Sequence, residues 1–172
     1  LYSSAASDVY KRQTVEIANF ASDILAHGEF PGYGAEPVIR HGEAVGIRQT
    51  AGRDLYREAA KICKGWQTDG FDTIAVICRD QKQAQETAEL LQKELPVMPW
   101  DPEKASFEKG IMVFPVEYTK GLEFDAVLLL SPDREFYPTD DGHAKLLYVA
   151  ATRALHRLEV LHTGNLTGLI VD

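Results

Sequence analysis

The residues best suited to chemistry lie in two short boxes. Lys120-Gly121-Leu122-Glu123-Phe124 puts a cation, a glycine and a carboxylate within one short loop, and Leu147-Tyr148-Val149-Ala150-Ala151-Thr152-Arg153-Ala154 ends a helical pattern in an arginine. An arginine's planar, permanently charged fork matches phosphate geometry, and a glycine lets backbone approach a ligand at angles other residues avoid. Residues 111–116 and 126–130 are short runs rich in Val, Leu and Ile, the pattern of strands buried on both faces. The lysine-glycine-glutamate loop is therefore expected at a strand end. In an open parallel sheet ligands sit outside the carboxyl ends of the strands, so both boxes are expected there, with Arg153 reaching the same crevice from the following helix.

The remaining elements follow from periodicity. Ile17, Phe20, Ala21, Ile24 and Leu25 mark a helix with Thr14 as N-cap and Gly28 as its end. Short strands are expected at 38–40 and 46–49. A helix over 52–66 turns Leu55, Ala59, Ile62 and Trp66 to the sheet, which makes Trp66 a core residue rather than a base-stacking platform. Residues 73–78 read as a strand and 80–95 as a helix capped by Asp80. Residues 96–102 form a connector with Trp100 packed at its edge. A polar loop over 132–142 precedes the Arg153 helix, a strand covers 157–162, and Leu166, Leu169 and Ile170 pack a tail back on the sheet. Strands alternating with helices imply an α/β fold, a mainly parallel sheet with helices on both faces.

These boxes carry a resemblance. Lys120-Gly121-Leu122-Glu123-Phe124-Asp125-Ala126-Val127 resembles motif V of UvrD-like superfamily 1 helicases, and Leu147 to Ala154 resembles their motif VI. Ala75-Val76-Ile77-Cys78-Arg79 is similar to motif IV. The resemblance covers roughly Thr14 onward and implies a RecA-like (P-loop NTPase type) C-terminal motor domain that closes over ATP held by an N-terminal RecA-like domain. It implies that Arg153 is the arginine finger, that Arg79 reaches the terminal phosphate, that Glu123 accepts a hydrogen bond from the ribose, and that Gly121 admits the backbone. Lys120 and Thr119 are the candidate nucleic-acid contacts; the alternative for Lys120 is an ion pair with Glu117 or Glu123, and for Arg79 one with Asp80 or Glu86. The Gly-rich phosphate loop with its Lys and Ser or Thr does not occur in this chain, so ATP and its Mg²⁺ are expected to be held by the N-terminal domain. Partners are then that domain and single-stranded DNA, with movement 3′ to 5′.

Departures point to a branch. Where the family form has a threonine five places and a histidine three places before the lysine, this chain has Pro115 and Glu117. With Thr163-Gly164-Asn165-Leu166 after the last strand, that is more similar to the helicase IV-like (HelD) branch, some of whose relatives act on RNA polymerase. No large insertion separates motifs IV and V, as in a compact branch.

Length and composition fit one domain: 172 residues, 45% hydrophobic. The net charge of −8 argues against a simple nucleic-acid-binding module, whose footprint is basic. Cys63 and Cys78 have no spacing partner and read as buried thiols in a reducing cytoplasm. No apolar run approaches a membrane span. Asp133, Asp140 and Asp141 are read as loop residues rather than metal ligands. Residues 1–13 lack apolar periodicity and resemble a translated sequencing-adaptor read-through, so they are set aside as a non-native leader and the motor domain is taken as 14–172.

Overall fold

A computed structural model of the chain describes residues 13–28, 40–101, 103 and 109–171. Six strands form one sheet: β1 (Gly46–Gln49), β2 (Thr73–Cys78), β3 (Met98–Pro99), β4 (Gly110–Pro115), β5 (Phe124–Leu130) and β6 (Ala154–His162). Their order is β1-β6-β5-β2-β4-β3, and every neighbouring pair is parallel. Four helices flank the sheet: α1 (Val15–His27), α2 (Leu55–Thr68), α3 (Gln81–Leu91) and α4 (Asp141–Thr152).

Alternation along the strands builds two cores. Ile74, Val76 and Cys78 of β2 face α2 and α3 together with Ile111, Val113, Ala126 and Leu128, whereas Ala75 and Ile77 face α1 and α4 with Met112, Phe114, Val127 and Leu129. Both faces are apolar because both are covered. The two thiols lie in the α2/α3 layer, where burial pushes each up to about 12; thiols so far from ionisation are chemically inert at neutral pH.

The local signals act where expected. Thr14 caps α1, its Oγ1 accepting from Ile17 N at 3.2 Å, and Asp80 caps α3 by accepting from Gln83 N at 2.8 Å. Gly28 closes α1 against α4. A Cβ there would lie 2.4 Å from the Cβ of Ala144, so only glycine lets the two helices meet at this point. Leu169 and Ile170 are buried in the α1/α4 layer as the tail folds back.

Some bounds differ. The helix expected over 80–95 ends at Leu91, and residues 96–102 contain the two-residue edge strand β3, too short and too proline-rich to read as a strand. The final strand starts at Ala154, three residues earlier than expected. Of the strand expected at 38–40, Arg40 is not in a strand and the rest lies outside the described residues.

Candidate functional site

The structure brings the two boxes together, but at the amino ends of the strands rather than the carboxyl ends. Phe124, the first residue of β5, pairs with Ala154, the first of β6, and the Phe124 amide donates to the Arg153 carbonyl at 2.9 Å. The segment 116–123 leaves β4 at its carboxyl end, forms a 3-10 turn at Val116–Tyr118, and crosses back along the α4 face to enter β5. Strand direction is the cause: β4 and β5 run parallel, so their connection must return the length of the strands to reach the start of β5.

Arg153 caps α4 at its last turn. Its Nε donates to Val149 O at 3.0 Å, and one terminal nitrogen donates to Leu122 O at 3.2 Å and Thr119 O at 3.4 Å. The guanidinium therefore braces the Lys120–Gly121 turn from behind. Burial pulls its pKa below the ordinary arginine value while the Glu123 carboxylate opposes that shift, and an arginine stays charged. Gly121 has φ +79°, a left-handed angle that L side chains rarely adopt, and nothing stands within 4 Å of where its Cβ would be. Backbone angle, not crowding, requires glycine there. A guanidinium, a carboxylate-bearing segment and an open glycine thus lie along one loop, with the Arg153 nitrogens held on protein acceptors.

Lys120 is exposed and, among the described residues, forms no ion pair, so neither Glu117 nor Glu123 takes it. Thr119 differs from its expected role. It is 0% exposed and its hydroxyl donates to Val116 O at 2.6 Å, so its side chain shapes the turn and offers no surface to nucleic acid.

Arg79 is not brought to this group. It follows β2 at the carboxyl end, and β2's six residues span roughly 20 Å at 3.3 Å per residue. Its Nε donates to Phe136 O at 3.1 Å, its guanidinium lies 5.9 Å from the centre of the Tyr137 ring, and a terminal nitrogen is 3.5 Å from His143 Nε2. His143 sits in the first turn of α4, whereas Arg153 caps the other end, roughly 15 Å along the axis at 1.5 Å per residue. Arg79 thus ties β2 to the 132–142 connector, and its partners are neither Asp80 nor Glu86. Sequence order alone could not separate the two arginines, because both follow regular elements.

Gln13, inside the segment set aside as a leader, is buried, and its amide donates to Thr152 O at 2.5 Å, beside Arg153. Periodicity could not find it, since it precedes the first helical turn.

At the carboxyl end, Ser131 has φ 52°, and Asp133, 6% exposed, has an Oδ1 with no partner among the described residues. Burial pushes the Asp133 carboxyl above the usual range, against the pull of the Gly164 amide and His162. Asp140 lies apart from it, capping α4 and holding His143 Nδ1 at 2.8 Å. A raised folded-state pKa means that the folded chain binds more protons than the unfolded one, so the penalty is absent below the unfolded value of about 3.9 and complete above the folded value. Asp133→Asn is therefore expected to raise the melting temperature at pH 7, with the gain vanishing as pH falls towards about 4. Melting curves of both proteins across that window check it; an unchanged or lower melting temperature at pH 7 would show that the ionised carboxylate is well accommodated.

An all-parallel six-stranded sheet with two helices on each face, carrying a cation-bearing loop braced by a helix-capping arginine, is an α/β domain of RecA-like fold. Over 92% of its length the chain superposes on 90% of the C-terminal domain of a possible DNA helicase from a Lactobacillus, strain WCFS1, with a TM-score of 0.76 and 23% identity. Residues 110–161, which hold both boxes and the strands they join, match the family model of the UvrD-like helicase C-terminal domain. The family match covers 52 of the chain's 172 residues, and the structural likeness shows the fold. No curated protein matches the sequence significantly. Among the described residues, no helix is long and apolar enough to cross a membrane.

Proposed function

We propose that this chain is the second motor domain of an ATP-dependent DNA helicase or translocase, moving 3′ to 5′ in a reducing cytoplasm. One observation carries the reading: the Arg153 guanidinium is held on the carbonyls of Thr119 and Leu122, the residue next to Glu123, so the two boxes are joined. In this reading Arg153 is the finger that stabilises charge developing on a transferred phosphoryl group, Glu123 accepts from the ribose, and Gly121 keeps the approach open. ATP and Mg²⁺ are held chiefly by an N-terminal RecA-like domain, which supplies the phosphate loop. Lys120 contacts nucleic-acid phosphate; Thr119 shapes the turn that presents it. Arg79 is left out of the phosphate site because its own partners hold it at the other end of the sheet.

A second reading, an ATP-driven factor that binds and remodels RNA polymerase in the manner of the helicase IV-like branch, is favoured by acidity. Glu117 is exposed where the family form has a histidine, and the chain's net charge is −8. Nucleic-acid affinity comes mainly from clustered cations.

The test is turnover. The isolated chain is expected to hydrolyse no ATP, and adding the N-terminal motor domain is expected to restore hydrolysis. Stimulation by single-stranded DNA without polymerase binding supports the first reading, whereas tight polymerase binding without strand separation supports the second. Turnover by the isolated chain above background, surviving Arg153→Ala, would mean that the site lies elsewhere.

A further inference from the structure

His156, near the start of β6, lines an open cleft at the amino ends of the strands together with Arg40, Phe71, Asp72, Asp125 and Arg157. Arg40 holds it from one side: its Nη1 lies 2.8 Å from His156 Nδ1, and its Nη2 donates to Leu155 O at 2.7 Å. Arg40 also reaches the first turn of α1, its carbonyl accepting from Val15 N at 2.8 Å. On the other side His156 Nε2 is 3.8 Å from Asp125 Oδ1, and the second oxygen of that carboxylate accepts from the amides of Asp72 and Thr73 at the start of β2. The Phe71 ring stacks on the imidazole, with centroids 5.7 Å apart at 13°, and so fixes its plane.

The donors decide where the proton sits. A guanidinium gives hydrogens and accepts none, so the Arg40 bond requires an unprotonated Nδ1 and puts the ring's single hydrogen on Nε2, towards Asp125. A second proton would fill Nδ1. Two donors would then face each other across 2.8 Å, and the ring's new charge would favour Asp125 over Arg40. Burial, with Arg40 and Arg157, holds the pKa of His156 below the ordinary histidine value against the pull of Asp125. The other charges at the cleft have partners of their own: Asp72 lies 3.9 Å from Lys109, Arg157 is 4.0 Å from Glu43, and His41 is 2.9 Å from Glu16.

We infer that His156 is a proton-operated clasp: neutral, it fastens Arg40, and with it the start of α1, to β6; protonated, it gives up the Arg40 bond and pairs with Asp125. The clasp is independent of the motor-domain reading, since it involves neither nucleotide nor nucleic acid. Its sign follows from the folded-state pKa lying below the unfolded one, so that the unfolded chain binds more protons. The contribution to stability is complete above the unfolded value of about 6.5 and is lost as pH falls through the folded value. His41 works in the opposite direction. On acidification it gains charge beside Glu16, whose carboxyl the Gly42 amide and His41 hold below the usual carboxylate range.

The test is NMR of the purified chain with nitrogen-15 label in its histidines and amides. At a pH of about 7.5 the His156 ring is expected to carry its hydrogen on Nε2, and on acidification to about pH 5 to become doubly protonated. Over that span the protection factor of the Val15 amide, which divides out the intrinsic pH dependence of exchange, is expected to fall about 2- to 10-fold, the worth of one ordinary hydrogen bond. His156→Gln supplies a carbonyl acceptor that does not titrate, so the fall is expected to disappear, whereas His41→Gln is expected to leave it in place. A hydrogen on Nδ1 at neutral pH, Val15 protection unchanged on acidification, or the same fall in His156→Gln would overturn the clasp.

Discussion

Replacing Arg153 by alanine in the complete two-domain protein is expected to lower ATP turnover by about 10³- to 10⁵-fold, the usual worth of an arginine finger. Finger contacts strengthen as charge spreads over the transferred phosphoryl group, so the loss falls on kcat, with KM for ATP changing far less. Arg153 also braces the Lys120–Gly121 turn through the Leu122 and Thr119 carbonyls, so the substitution removes support from the loop as well. Arg153→Lys separates the two roles. A lysine keeps the charge but lacks the planar fork that bridges two carbonyls while facing phosphate. If the arginine served only the loop, both variants would lower the melting temperature and leave kcat within about tenfold of the parent, and the finger assignment would fail.

The same arginine shows what could be read from the sequence. That the Lys120–Glu123 segment and Arg153 meet was legible, because an apolar strand follows each box; the Arg153 bonds to the Thr119 and Leu122 carbonyls are that meeting. Which end of the sheet they converge on was not. A segment that leads straight into a parallel strand arrives at that strand's amino end, so residues 120–123 lie at the start of β5 and not at the end of β4. Arg79 shows the same limit: its place after a strand was legible, but its partners, the Phe136 carbonyl, the Tyr137 ring and His143, hold it at the other end of the sheet from Arg153. Thr119 was taken as a nucleic-acid contact from its place in the box; its bond to Val116 O turns the hydroxyl inward. For Trp100 the packed edge was foreseen, but its partner was not, since a ring contact across 18 positions leaves no periodic trace. Caps and burial patterns fared best, because Thr14, Asp80 and the runs over β2 and β4 act through neighbours in the chain.

Phe124→Ala is expected to be the most damaging single core substitution in the vicinity of the site, costing about 3–5 kcal/mol of folding stability. Phe124 is 1% exposed, and its ring lies 5.4 Å from that of Phe114. Strict alternation from Ala126 would turn it towards α2 and α3. The register shift between Phe124 and Ala126 re-aims it into the α1/α4 layer, and the residue between them, Asp125, accepts from the amides of Asp72 at 2.9 Å and Thr73 at 3.1 Å. The ring therefore fills the space directly beneath the loop that Arg153 braces, while the Phe124 amide holds the Arg153 carbonyl. Truncation leaves a cavity at that junction, and the backbone pairing that surrounds it limits collapse into the void. Urea unfolding of the parent and variant measures the loss, and Phe124→Leu, which refills most of the volume, is expected to recover more than half of it. A loss below about 1 kcal/mol would mean that the junction closes over the cavity and that β5 begins later than Phe124.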